Sequence, residues 1–373
     1  MNTPRLVFYD TSQVYYASYY LNGFHELTKT HGLRMQIAHS LPTRLKKAVQ
    51  NRDWQHLLFA MVLFKLQQGN QTLYVCIDTH DDNSLTVESR GGGYHWPLLQ
   101  TVDAYFKVNY NPRIIYETAA LSANQQTIHG IAQFFPIRPQ CSFLLSQRLL
   151  LPSIWFGYRP SLGHGQPYRG YMAATRRRLR DLKNFLTLDQ IIAHRSIPKD
   201  IDIFYVTSFR PGPRHASIMQ RRYHVMNRLD GISHLNIEMG FTSQSALPQH
   251  YTHRYPQRLN QADYLKTLAR SKVVIYTQGM EGCISSKFSL AMALGIPVAG
   301  EPLLNNPELL MAHPHLSGQF RYSDPDELVE QALKLATHPQ QAHQLGHLNA
   351  ALFDQHLAPR PTAEYIFRLL QTL

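Results

Sequence analysis

The most restrictive stretch of this chain is "SKVVIYTQGMEGCISSKFSLAMALGIPVAG", residues 271–300. From Phe288 to Leu294 the residues are Phe, Ser, Leu, Ala, Met, Ala and Leu. A helix of that composition has no wet face at 3.6 residues per turn and must be covered all round. Gly295 stops it, and Ser285 and Ser286 stand where an N-cap belongs. The β-branched run Ser271–Thr277 reads as a buried parallel strand, and "IPVAG" as the strand that follows the helix. Strand, loop, buried helix and strand is the repeating unit of a parallel α/β sheet, whose ligands bind at the carboxyl ends of the strands.

One cation breaks the apolar pattern. Lys287 sits in the first turn of the buried helix, where the unpaired N–H groups and the dipole already place positive charge. Two readings stand: a phosphate binds there, as anions do at helix N-termini, or the lysine stem runs past the helix and its ammonium reaches water.

The 373 residues leave room for two domains, and a 44% hydrophobic content gives each a core. No apolar run reaches the roughly 18 residues of a membrane span, and the first ten residues lack the long apolar stretch of a signal peptide. Three cysteines, Cys76, Cys141 and Cys283, are too few and scattered for a disulfide framework or a zinc site. A reducing cytoplasm is expected, at the inner face of the membrane if the net charge of +12 acts on anionic lipid. The basic stretches Arg176–Lys183 and around Arg221 are either solvated faces or membrane-docking faces; neither carries a nucleic-acid signature.

Alternation of strands and helices occurs twice. The first series has strands at "RLVFYD", "LRMQIA", "TLYVCIDTHDD" and "VDAYFKVNY", with a Tyr-rich helix from Gln13 to about Thr30. The second begins with "IDIFYVTSF" and continues through "SHLNIEMG", "QADYLKTLAR" and the stretch quoted first. The expected organisation is an α/β domain over 1–190 including a linker, a second over 191–357, and a C-terminal helix over 358–373 packed back on the first.

The second half resembles the donor-binding segment of GT-B-fold glycosyltransferases. The likeness rests on "LARSKVVIYTQGMEGCISSKFSLAMALGIPVAGEPLLNNPELL" and on the helical "YSDPDELVEQALKLATHPQQAHQLGHLN" after it. It implies two Rossmann-like parallel-sheet domains facing a central cleft. The second would bind a nucleotide sugar and the first a saccharide or lipid-linked saccharide acceptor, as in lipopolysaccharide or capsule synthesis. The resemblance puts Lys287 on the donor diphosphate, with Gly279 and Glu281 in the loop beside it. Ser285 and Ser286 open the helix, and Ser208, Arg210 and Arg214, from the end of "IDIFYVTSF", complete the clamp. The family commonly carries a glutamate on the ribose where this chain has Leu290, so Glu281 or Glu308 takes that role, the donor binds differently, or activity is lost. A nucleotide-sugar epimerase of the same fold and a non-catalytic sugar-nucleotide-binding protein are the alternatives.

For a general base the first domain offers "IDTHDD", where Asp78, His80, Asp81 and Asp82 follow a strand. Asp78 and His80 form a base and its orienter, or the run is a polar turn. Asp10 is a second candidate, or an N-cap. Tyr15, Tyr16, Tyr19 and Tyr20 divide between core packing and sugar stacking. Asp324-Pro325-Asp326 spells a metal-binding DxD but has the context of a helix start, so no metal and no cofactor beyond the donor substrate is expected.

Overall fold

The computed structural model describes residues 3–9, 12–38, 40–51, 53–85, 93–140, 167–243, 247–255, 259–306, 310 and 312–373. Asp10 and Glu308 lie outside them, as does Cys141. The chain divides into two units, Met1–Thr187 with His356–Leu373, and Leu188–Gln355. Both are α/β.

Six strands form the sheet of unit 1: β1 (Arg5–Tyr9), β2 (Arg34–Ala38), β3 (Met61–Gln68), β4 (Gln71–Asp78), β5 (Ala104–Lys107) and β6 (Ile128–Gly130), in the order β2-β1-β3-β4-β5-β6. The β1–β2, β4–β5 and β5–β6 pairs are parallel. Strand β3 runs antiparallel to both β1 and β4, so the sheet is mixed where an all-parallel one was expected. The cause is local. Gly69 and Asn70 join β3 to β4 in a two-residue turn, Gly69 adopts φ 59°, and a hairpin reverses the chain without the crossover a parallel pair needs. Helix α1 (Val14–Thr30) covers one face through Phe24, whose ring meets Phe8 and Phe64 at 5.6 and 5.2 Å. Tyr19 and Tyr20 are core residues, the Tyr19 hydroxyl donating to the Leu357 carbonyl, while Tyr15 and Tyr16 are half-buried. The basic run seen in the sequence lies on α2 (Pro167–Asn184).

Unit 2 holds an all-parallel sheet in the order β10-β9-β7-β8, from β7 (Ile201–Ser208), β8 (Ile237–Thr242), β9 (Ser271–Tyr276) and β10 (Val298–Gly300). Its helices are α3 (Ala216–Asp230), α4 (Gln261–Ala269), α5 (Ser286–Ala293), α6 (Pro325–Thr337) and α7 (Pro339–Leu352). All residues of α5 from Phe288 to Ala293 are buried, as a helix apolar on every face requires. Gly295 follows at φ 63° and ends it. Helix α8 (Pro359–Leu370) returns the chain to unit 1, where it packs on α1.

Candidate functional site

Three connections leave the carboxyl edge of the unit 2 sheet together: the loop after β7, the loop after β9 that leads into α5, and the chain after β8. They enclose a cavity of about 520 Å³, lined by Ser208, Arg210, Thr242, Ser243, Ser286 and Lys287 near the strand ends. Tyr264 of α4 and Leu290 of α5, each about one helical turn into its element, also line it.

The β9–α5 loop is tightly built. Gly279 donates to the Cys283 carbonyl at 3.1 Å, and a Cβ at residue 279 would stand 2.1 Å from the Cys283 Sγ, so a larger residue there would have to displace the Cys283 side chain. Glu281 adopts φ 52°, unusual for a residue with a side chain. Its carboxylate is exposed and pairs with Arg214 at 3.1 Å. Ser285 enters α5 in an extended conformation with no side-chain cap bond, and the first turn of α5 holds no acidic residue. The helix dipole at this start, unopposed by any acidic residue of its first turn, therefore adds to the positive potential of the cavity.

Lys287 is half-buried and, among the described residues, has no hydrogen-bond or ion-pair partner. Burial pushes its pKa well below the usual lysine value, and the Arg222 guanidinium nearby pushes it further. Arg222 reaches from α3, 8% exposed, to donate to the Ser208 carbonyl at 3.0 Å and the Gln278 carbonyl at 3.2 Å. It ties the end of β7 to the loop after β9. Glu301, just past β10 and 2% exposed, holds the other side of that loop: it accepts from the Gln278 N–H at 2.6 Å and from Arg221 at 3.0 Å. His215 is pushed toward its neutral form by burial, then by Arg210, Arg214 and Arg222. The site is electropositive.

Of the donor-side residues expected from the sequence, Ser208, Arg210, Ser286 and Lys287 line one cavity. Gly279 and Ser285 shape the loop behind it, Arg214 and Glu281 pair at the surface, and Glu308 falls outside the described residues. Leu290 stands in the cavity wall, so an apolar surface occupies the place where the resemblance expects a carboxylate. Sequence reasoning missed Arg222 and Glu301. The signal for Arg222 was present: it shares the buried stripe Met219, Val225, Met226 and Leu229 of α3, where a solvated arginine does not belong.

In unit 1 the expected base changes role. Asp78 is fully buried and accepts from the Tyr105 hydroxyl at 2.6 Å, from Lys107 Nζ at 3.0 Å and from the His80 N–H at 2.9 Å. Lys107 also donates to the His80 carbonyl at 2.9 Å. His80, 4% exposed, faces the Leu57 carbonyl at 2.7 Å, and burial lowers its pKa. Asp78 and His80, expected as base and orienter, are thus both buried and engaged by protein partners, Asp78 in an internal ion pair. Asp82 is also buried and accepts from the Ser84 N–H at 2.8 Å, whereas Asp81 is exposed. Asp324 caps α6 by accepting from the Asp326 and Glu327 N–H groups at 2.7 and 3.2 Å, and Asp326 pairs with Arg228 at 2.7 Å, so Asp324 and Asp326 serve a helix start. Among the described residues no helix is long and apolar enough to cross a membrane.

No family model matches the chain, and no curated protein matches it. Among solved structures it is similar to a mutant of S. aureus TarM in complex with Fondaparinux, alpha-GlcNAc-glycerol and UDP, at 10% identity and a TM-score of 0.40. The match covers 79% of this chain and 50% of that one, so this chain spans about half the length of its neighbour. A likeness of that degree transfers no chemistry.

Proposed function

We propose that the chain is a glycosyltransferase that binds the diphosphate of a nucleotide sugar at the carboxyl edge of the unit 2 sheet and transfers the sugar to a saccharide acceptor. One observation carries the reading. Lys287 lines a cavity at an uncapped helix start without a carboxylate partner among the described residues, beside a buried arginine held only by carbonyls. The Arg222 charge close to Lys287 raises the energy of the empty site, and a diphosphate on Lys287 offsets it. In the transfer, the acceptor hydroxyl loses its proton to a base and attacks the anomeric carbon. The bond to the diphosphate breaks, and Lys287, Arg210 and the α5 N–H groups stabilise the charge that develops there. No metal enters the scheme. The net charge of +12 suits a protein working at an anionic inner-membrane surface on a lipid-linked acceptor of surface glycan synthesis.

Leu290 in the cavity wall and the enclosure of Asp78 favour a second reading, a sugar-nucleotide-binding protein without turnover. A thermal-shift screen against UDP, GDP, CMP and dTDP sugars tests the site, since a ligand at a hundredfold its Kd adds about 2.7 kcal/mol to the folded state. Incubating the best binder alone and with an acceptor panel separates the functions: conversion of the donor alone marks an epimerase, acceptor-dependent release of nucleotide a transferase, and binding without either a binding protein. No stabilisation by any nucleotide sugar would overturn the proposal.

A further inference from the structure

The opposite, amino edge of the same sheet holds a second cavity of about 360 Å³, where β9 begins at Ser271 and Lys272. Its walls are apolar: Leu294 and Pro297 on one side, Leu335 of α6 and Ala342 of α7 on the other. The charged groups lining it are all basic. Arg195 pairs with Asp354 at 2.8 Å and Lys272 with Asp202 at 2.6 Å. Among the described residues Lys199 has only the Ala269 carbonyl as acceptor, and burial lowers its pKa to about 8. Exposed His343 and His347 complete the rim.

We infer that this cavity is a binding site for an anionic amphiphile, an aliphatic chain filling the apolar interior with its carboxylate or phosphate head on Lys199. An apolar interior with Lys199 at its edge is complementary to that chemistry at both ends: the chain removes apolar surface from water, and the head supplies Lys199 with the carboxylate or phosphate counter-charge that Arg195 and Lys272 already have from Asp354 and Asp202. Neither group is explained by the donor site, because the two cavities share no residue. The inference stands independently of the transferase reading.

Titrating the whole chain with unbranched alkyl carboxylates of increasing length, below their micelle concentrations, tests it. Affinity should rise about fourfold per added methylene until the chain outgrows the cavity. An alkyltrimethylammonium of equal length should bind at least about tenfold more weakly. Ala342→Trp, which fills the interior, should abolish binding. Lys199→Gln, which keeps a donor for Ala269 but removes the charge, should weaken it about tenfold or more and serves as the test should Ala342→Trp fail to fold. Vesicles of anionic phospholipid identify the source: retention of wild type but not of the variants supports a bilayer lipid, and equal retention alongside carboxylate binding supports a soluble amphiphile. Absence of binding at every chain length, equal affinity for the cationic amphiphile, or indifference of carboxylate binding to Lys199→Gln would overturn the inference.

Discussion

Replacing Lys287 with methionine removes the charge while keeping most of the stem, so it separates recognition from packing. If Lys287 contacts a donor diphosphate, the substitution deletes a charge-assisted hydrogen bond worth about 1.5–3 kcal/mol, and nucleotide affinity should fall about 10- to 150-fold. The fold should gain. Burial and then Arg222 hold Lys287 below its ordinary value of 10.5, so the unfolded chain binds this proton more tightly than the folded one. Wild-type stability therefore falls as pH drops below 10.5, until the folded group is itself fully charged. Methionine carries no proton, so thermal melts of mutant and wild type should diverge in the mutant's favour across that window and then run parallel. An anion raises the pKa of Lys287, so nucleotide binding should take up protons in wild type and take up fewer in the mutant. Calorimetry in two buffers of different ionisation heat reads that difference. A folded Lys287→Met protein with wild-type nucleotide affinity would refute the donor-site assignment, whatever its melting temperature.

Lys107→Met strands the Asp78 carboxylate in a fully buried site and should cost about 3–5 kcal/mol in urea unfolding; a loss under about 1 kcal/mol would mean the pair is not the internal ion pair described. Burial lowers the pKa of His95 from 6.5 to about 3, so the unfolded chain binds more protons between those values and stability is lost as pH falls through that window, by a few kcal/mol. His95→Asn keeps an oxygen to accept the Leu98 N–H and should flatten the acid limb of the stability curve; an unchanged limb would reassign acid sensitivity to other groups.

The fold was legible where burial leaves a local imprint. A helix apolar on every side announced its covering, and the β-branched runs around it announced parallel strands. Strand β3 was missed although Gly69-Asn70 between two apolar runs is a hairpin signal, because the strand–helix alternation on either side favoured a crossover. The sequence allowed Arg210 and Lys287 to be placed beyond strand ends, where they line one cavity, but it did not reveal the burial of Asp78. Asp78 ends a strand in the place where a catalytic carboxylate belongs, and nothing near it in sequence reveals its fate. Its register partner on β5 is Lys107, and pairing between distant strands is the kind of information a single sequence conceals. Arg222 stood in plain view on an apolar stripe, but the basic residues around it suggested a solvated face.

Two lysines near the carboxyl edges of the two sheets make an instructive contrast. Lys107 closes β5 at a carboxyl edge, buried against the Asp78 carboxylate and the His80 carbonyl, with its ammonium 5.2 Å from the centre of the Tyr94 ring. A carboxylate, a carbonyl and an aromatic ring surround that ammonium, so protein partners account for the charge. Lys287 opens α5 just past a carboxyl edge with no partner among the described residues, facing a cavity and a second cation. A methionine or leucine there would serve folding better on every count: helix dipole, burial and repulsion from Arg222. On the proposed function, what folding disfavours and the cavity exposes is offset by a ligand that carries negative charge into the site.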